Sequence, residues 1–166
     1  FLGYIVNHRG IEANPRQVIV ILELGSPRSV KEVQKLMGMA TALNRFISRS
    51  TDRCRQFFQT LRQGKAFEWS AECETAFNGL KTYLRSVPLL SPPAAGDPLI
   101  QNLVVSDKAV SAVLLKEEER EQRPVYYVSK AMVDTETRYL PLEKLILALV
   151  MLARKLMHYF QGTSDS

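Results

Sequence analysis

The chain has few side chains of the kinds that bind metals or form disulfides. It contains two cysteines, Cys54 and Cys73, and two histidines, His8 and His158, with no closely spaced pair that would indicate a structural zinc site. Both cysteines lie in segments of helical periodicity, so we expect small buried or half-buried apolar groups.

Long apolar runs and targeting signals are also missing. No run approaches the length that spans a bilayer, and no basic segment followed by an apolar run stands at the start. We therefore expect an intracellular protein, cytoplasmic or nuclear, without a membrane partner. Because the first residue is not methionine, we also expect a fragment of a longer chain.

Acidic side chains are scarce in the first half of the chain. Residues 1–90 hold thirteen Lys and Arg against seven Asp and Glu, whereas residues 91–166 hold nine against ten. The formal charge of +5 therefore belongs to the first half, which predicts a polyanionic partner there. An apolar fraction of 46% favours a globular chain over a disordered one.

The first half carries the start signals of helices. After the strand-like opening, Asn14 and Pro15 predict an N-cap and a first helical turn. Ser29 and Glu32 form a capping box, in which we expect the Glu32 carboxylate to reach the Ser29 amide. The predicted helices cover residues 15–24, a segment from 29 whose apolar stripe runs to 47, residues 52–62, and residues 70–86.

Several apolar residues of these helices are expected to be buried. The second helix has a stripe from Val30 to Ile47, which leaves Lys31, Lys35 and Arg45 on or beside the wet face. Gly38 in this helix costs about 1 kcal/mol relative to alanine, which predicts close packing or the approach of another backbone. The third helix has Phe57, Phe58 and Leu61 as its predicted apolar face.

The second half begins after a Pro-rich segment and changes its period from 3.6 to 2. Strands are predicted over 99–106, 109–116 and 124–128, and the acidic run EEERE is expected to be a solvated turn between the last two. Pro141 opens a helix to about residue 160. Its predicted buried stripe consists of Leu142, Leu145, Ile146, Leu149, Leu152, Ala153, Leu156 and Phe160.

Six blocks along the chain carry a resemblance to a known family. In order they read FLGYIV…GIEANP, PRSVKEVQKLMGMATALNRFISR, FEWSAECETAFNGLKTYL, VVSDKAVSAVLL, PVYYVSKAM and ETRYLPLEKLILALVMLARKLMHYFQG. They resemble the end of the reverse transcriptase region in polyproteins of gypsy-type LTR retrotransposons, and they are most similar to the plant lineages of these elements. The resemblance covers nearly the whole chain.

The resemblance implies an α+β fold in four parts. Residues 1–14 look like the primer-grip hairpin at the edge of the palm, 15–87 like the helical thumb and connection, and 88–98 like a Pro-rich linker. Residues 99–166 look like the first half of an RNase H-like domain, with three antiparallel strands and a long helix. The polymerase aspartates of that family lie upstream and are not in this sequence.

Nucleic-acid contacts follow from this resemblance together with the charge of the first half. The expected partner is the template-primer duplex, RNA:DNA or DNA, alongside the remaining polyprotein domains: palm, downstream RNase H and integrase. The residues that we predict to be nearest the nucleic acid are Phe1, Leu2, Gly3, Tyr4, Lys31, Lys35, Arg45, Arg49, Arg53 and Arg55. Two alternatives stay open: the cations form a solvated helix face, and the opening strand meets an absent palm.

Asp107 is the candidate catalytic residue of the RNase H-like part. Hydrolysis with two metal ions needs several converging carboxylates, and Mg²⁺ is expected for the full enzyme. Asp107 matches the first family aspartate, but the helix glutamate falls on Leu145, and Glu143 and Glu136 are poor substitutes. Further acids would lie beyond residue 166. We expect a degenerate RNase H-like domain, the alternatives being an active endonuclease of RNA:DNA hybrids and a product of a decayed element.

Overall fold

The computed structural model describes residues 4–62, 66–94 and 96–161, with side chains for all of these except Leu156 and residues 158–161. The α+β fold predicted from the sequence is confirmed. The elements are β1 (Tyr4–Asn7), β2 (Gly10–Ala13), α1 (Pro15–Glu23), α2 (Val30–Ala42), α3 (Ser50–Arg62), α4 (Ala71–Leu84), β3 (Leu99–Val105), β4 (Ala109–Glu118), β5 (Glu121–Ala131), α5 (Asp134–Thr137) and α6 (Pro141–Gln161).

Local caps begin the helices of the first half. The Asn14 side chain accepts from the Arg16 amide at 3.0 Å, and the Ser29 hydroxyl accepts from the Glu32 amide at 3.2 Å. The reciprocal half of the predicted capping box is wrong in its partner, because the Glu32 carboxylate accepts from the amide of Arg28. Ser29 is extended, with φ −150° and ψ 161°, and this places the preceding amide within reach of the carboxylate.

Helices α1 to α4 enclose the first of two cores. In this core the half-buried Trp69 stacks on the buried Phe57 at 5.7 Å and meets the buried Phe77 edge-on at 5.9 Å. Both cysteines are buried, as expected. Burial raises the pKa of the Cys54 thiol to about 11, against a smaller opposing effect of Arg53.

Two expectations about α2 and α3 are wrong, and one alternative of a third is contradicted. Helix α2 ends at Ala42, and Phe46 is buried from a following 3-10 turn rather than from the helix. Val30 and Phe58, placed in buried faces from periodicity, are 42% and 43% exposed. Apart from its chain neighbours and the backbone of α2 itself, no described atom lies within 4 Å of a Cβ built on Gly38, so packing inside the described part of the chain does not explain this glycine.

The Pro-rich segment is attached to both parts of the molecule. Leu90 is buried and exchanges two backbone hydrogen bonds with Ile11 of β2, at 2.7 and 2.9 Å. The Ser91 amide donates to the Pro124 carbonyl of β5 at 2.8 Å. Gly10 permits this approach, because its φ is +139° and a Cβ there would overlap the Leu90 carbonyl oxygen.

Strands β3, β4 and β5 form an antiparallel sheet with β4 in the centre. The β4–β5 hairpin is longer than predicted because only Glu119 and Arg120 make its turn, both with positive φ, as a two-residue turn of type I′ requires. Alternate β4 residues, including Val110 and Leu114, pack with α6 in the second core. Helix α3 contacts β4 and β5.

Helix α6 has the predicted bounds, but most of its predicted buried stripe is exposed. Leu152 is buried in the second core as predicted, together with Ala148 and Met151 from outside the stripe, whereas Leu142 and Leu145 are 68% and 38% exposed. The remaining described members of the predicted stripe, Ile146, Leu149 and Ala153, are also exposed. Apolar residues occur on most sides of this helix, so periodicity alone does not identify the side that meets the sheet. Among the described residues, no helix is long and apolar enough to cross a membrane.

Candidate nucleic-acid interface

Arg45 joins three parts of the molecule. Its guanidinium carbon lies 5.0 Å from the ring centre of Tyr4 in β1 and 5.0 Å from that of Tyr126 in β5. Arg45 itself belongs to the 3-10 turn after α2. This predicted phosphate-binding cation therefore contacts two aromatic rings inside the molecule. It also covers one face of the Tyr4 ring.

The cations at the start of α3 also make internal contacts. Arg53 lies 4.3 Å over the Tyr83 ring and donates to the Ser48 carbonyl at 2.8 Å. Arg49 pairs with Asp52 at 3.1 Å, although half of its side chain is exposed. Arg53 thus joins the start of α3 to α4 and to the segment before α3, whereas the contact of Arg49 is local to the first turn of α3. The nucleic-acid role of both arginines stays a prediction. Phe1, Leu2 and Gly3 lie outside the described residues.

Helix α2 presents a basic face, which consists of Lys31, Lys35 and Gly38. These exposed residues follow one another at spacings of four and three, which places them on one side of a helix. Among the described residues neither lysine forms an ion pair. An open, mainly apolar cleft of about 390 Å³ between α1 and α2 borders this face, with Lys35 and Gly38 in its lining.

Asp107 lies in the turn between β3 and β4, where it is exposed. Its neighbour Ser106 closes the turn, since its hydroxyl accepts from the Ala109 amide at 3.1 Å and donates to Asp52 of α3 at 2.8 Å. The turn therefore depends on Ser106 rather than on Asp107.

The other candidate acids do not converge on Asp107. Leu145, at the position of the family glutamate, is a half-exposed apolar residue on α6. Glu143 accepts from the Leu140 amide at 2.8 Å at the start of that helix. Glu136 accepts from the Val133 amide at 2.9 Å and from Lys130 at 3.1 Å, and these bonds, the amide's first, lower its pKa.

The donor set does not fit a two-metal centre. Nowhere in the described ranges do three or more His, Cys, Asp or Glu side chains gather where they would hold a metal ion. Asp107 lies in the β3–β4 turn, whereas Glu136 and Glu143 each accept from the backbone amide of a local turn. No reaction step is therefore assigned to a metal held by these residues.

A polar seam between α3 and the sheet was not predicted. Ser111 and Ser129 face each other on β4 and β5, with their hydroxyl oxygens 2.9 Å apart, and Ser129 accepts from the Thr51 amide of α3 at 3.2 Å. Ser111 is buried. The available signal was a serine in the apolar part of each of these two strands, on the face that α6 does not cover.

A comparison with models of protein families identifies one family over more than half of the chain. The profile of the "RNase H-like domain found in reverse transcriptase" matches residues 69–165. The match therefore includes α4 as well as the sheet and α6. It begins earlier in the chain than the RNase H-like part predicted from the sequence.

Curated relatives are similar over almost the full chain. The Retrovirus-related Pol polyprotein from transposon opus of Drosophila melanogaster is 32% identical over 98% of this chain and 17% of its own length. The Transposon Tf2-3 polyprotein of Schizosaccharomyces pombe is 24% identical over 99% of this chain and 12% of its own length. The chain thus corresponds to a small part of each retrotransposon polyprotein.

The fold also occurs in a solved structure. The foamy viral protease-reverse transcriptase in complex with an RNA/DNA hybrid superposes with a TM-score of 0.78 at 21% identity, over 95% of this chain and 21% of that one. This similarity extends over both the helical part and the sheet.

Proposed function

Because the chain belongs to the family of RNase H-like domains found in reverse transcriptases, we propose that it is the thumb and connection region of a gypsy-type, plant-like retrotransposon polyprotein. In this proposal it grips the template-primer duplex, while the chemical reactions occur on other domains. The observation that carries the proposal is the basic face of α2, where two lysines without an ion-pair partner among the described residues precede an exposed glycine on one side of the helix.

The basic face suits a duplex backbone for three reasons. Lys31 and Lys35 are exposed and keep their charge available, because no described acid pairs with them. Gly38 lacks a side chain where the surface is open, which allows a partner to approach the helix backbone closely. Contacts of this kind bind phosphates, so they position a duplex without reading its sequence. The foamy viral enzyme, which has the same fold, was solved with an RNA/DNA hybrid.

We propose that the RNase H-like part acts as a tether rather than as a nuclease. Leu145 occupies the position of the helix acid, and Asp107 lies exposed in a turn, away from Glu136 and Glu143. A completed Mg²⁺ site, the palm, a downstream RNase H and an integrase would then belong to other segments of an intracellular polyprotein. The well-packed core of β4 and α6 supports a purely structural part.

The test measures duplex binding as a function of salt. A short RNA:DNA hybrid and a DNA duplex of the same sequence are titrated by fluorescence anisotropy with the wild type and with the double variant Lys31→Gln, Lys35→Gln. Each lost phosphate contact reduces the slope of log K against log salt by about 0.9, so the double variant should lose about 1.8. The matched control is Arg154→Gln, Lys155→Gln on α6, which removes the same charge from two exposed residues.

The control separates a local contact from net charge. Equal slopes for the two double variants would refute the basic face. Incubation of the hybrid with Mg²⁺ tests the tether: we expect no more cleavage than with Asp107→Asn. Cleavage that disappears in Asp107→Asn would establish a nuclease and overturn this part of the proposal.

A further inference from the structure

We infer that the cleft between α3 and the RNase H-like sheet binds an unpaired nucleotide of a nucleic-acid strand. This inference rests on the proposed function, because it adds a subsite for a single-stranded tail to a protein that grips a duplex. The cleft has a volume of about 290 Å³ and is open to solvent on one side. Its walls are α3, the β3–β4 turn and the segment from β5 into α5.

One side of α3 supplies an aromatic ring between two cations. Arg55, Phe58 and Arg62 follow at spacings of three and four, so they lie on the same side of the helix, and all three line the cleft. Lys108 contributes a third cation from the β3–β4 turn. Within the ranges that the structure describes, none of these cations forms an ion pair.

The acids of the cleft do not neutralise these cations. Asp52 already pairs with Arg49 at 3.1 Å and accepts from Ser106 at 2.8 Å. Asp134, the other carboxylate of the lining, lies in the first turn of α5. Three unpaired cations therefore face one carboxylate that has no ion-pair partner among the described residues, and the cleft favours an anion.

Phe58 is the unexplained residue at this site. It is 43% exposed although periodicity assigns it to a buried face. It also lines a second cavity of about 120 Å³, next to Cys54 and Ser129, so open space lies on two sides of the ring. An exposed aromatic ring with space beside it is a platform on which a base can stack.

The three cations and the exposed Phe58 ring together favour a nucleotide over other ligands. An apolar peptide would leave the three cations without partners, and a simple phosphate would leave the Phe58 ring exposed. A nucleotide satisfies both, because its base stacks on the ring while its phosphate lies near a cation. A base inside a duplex is already stacked on its neighbours, so the nucleotide must be unpaired.

The experiment compares three fluorescein-labelled probes on the full 166-residue chain: a blunt DNA duplex, the same duplex with a short single-stranded thymidine tail, and the tail sequence alone. The wild type should bind the tailed duplex about fivefold or more tightly than the blunt one, the gain expected from stacking of a base on an aromatic side chain. Phe58→Leu should abolish this gain and leave blunt-duplex affinity unchanged. Tyr139→Leu, at another exposed aromatic residue, should keep the gain.

If Phe58→Leu fails to fold, a second variant tests the same site through its phosphate contact. Arg62→Gln should reduce the salt slope for the tail alone by about 0.7, the value for one phosphate contact of a single strand. Equal wild-type affinities for blunt and tailed duplexes overturn the inference and leave the proposed function intact. A blunt duplex that fails to bind, with a tail that binds through Phe58, overturns the proposed function alone. Equally strong competition by free thymidine monophosphate would refute a strand as the ligand.

Discussion

Gly38 gives a prediction in which stability and binding change in opposite directions. Glycine in a helix interior is about 0.8–1.0 kcal/mol less favourable than alanine. Gly38 lies inside α2, and a Cβ built on it has no described heavy atom within 4 Å beyond its chain neighbours and the backbone of α2 itself. Gly38→Ala should therefore stabilise the folded chain by nearly this full amount, which raises the melting temperature of a chain of this size by about 2–4 °C.

Duplex binding should respond in the opposite sense. If a nucleic-acid backbone approaches the basic face of α2 closely, the new methyl group enters that contact. A methyl group forced into a packed contact costs about 1 kcal/mol or more, which corresponds to about fivefold weaker binding. Circular dichroism at rising temperature measures the first effect, and anisotropy titration with the blunt duplex measures the second.

Gly79 provides the matched control. It also lies inside an α-helix, α4, and has no described atom within 4 Å of a built Cβ. Gly79→Ala should therefore raise the melting temperature by a similar amount while leaving duplex affinity unchanged. The reasoning about the basic face is refuted if Gly38→Ala binds the duplex as tightly as the wild type does.

Two further predictions concern folding. Gly10→Ala should destabilise the chain by more than about 1 kcal/mol in urea unfolding, because its φ is +139° and the methyl group would overlap the Leu90 carbonyl. Hydrogen bonds from Ser26 at 2.7 Å and Trp69 at 2.6 Å lower the pKa of Glu74. A carboxyl whose folded pKa is lowered stabilises the folded state above its unfolded pKa and loses this contribution as the pH falls through the folded pKa. The stability difference between the wild type and Glu74→Gln should therefore shrink on acidification, and a difference that stays constant with pH would contradict it.

Local signals in the sequence predicted where elements begin. Asn14, Ser29 and Ser70 are N-caps in the structure, because a cap depends on hydrogen bonds within the next few residues. The β3–β4–β5 succession was predicted for a similar reason, since alternation and turns are local properties.

Properties that depend on a distant partner were not predicted. Helix α6 is apolar on most sides, so the choice of Ala148 and Met151 over Leu142 for the core depends on the shape of the sheet. Periodicity assigned Phe58 to the core. The open space beside its ring depends on how α3 meets β5, which the sequence does not show. Ser111 and Ser129 are visible in the sequence as polar residues of β4 and β5, but the sequence does not indicate that they meet α3.

For the candidate site, the sequence shows which residues are basic but not which of them are exposed. Five cations among the predicted phosphate contacts, Lys35, Arg45, Arg49, Arg53 and Arg55, belong to one basic segment of sequence. In the structure these five residues do not form one exposed basic surface, because tyrosine rings cover Arg45 and Arg53. Charge in the sequence thus overstates the surface available to phosphate.

This separation also gives the basic segment two roles. An arginine stacked on a ring keeps its charge and adds to the field around the α2–α3 junction, while its geometry is fixed by the ring. Arg45 fixes the β1–β2 hairpin and the RNase H-like sheet to the same turn. The exposed cations of α2 and α3 then lie on surfaces whose relative positions are set, as simultaneous contact with a duplex and its unpaired tail requires.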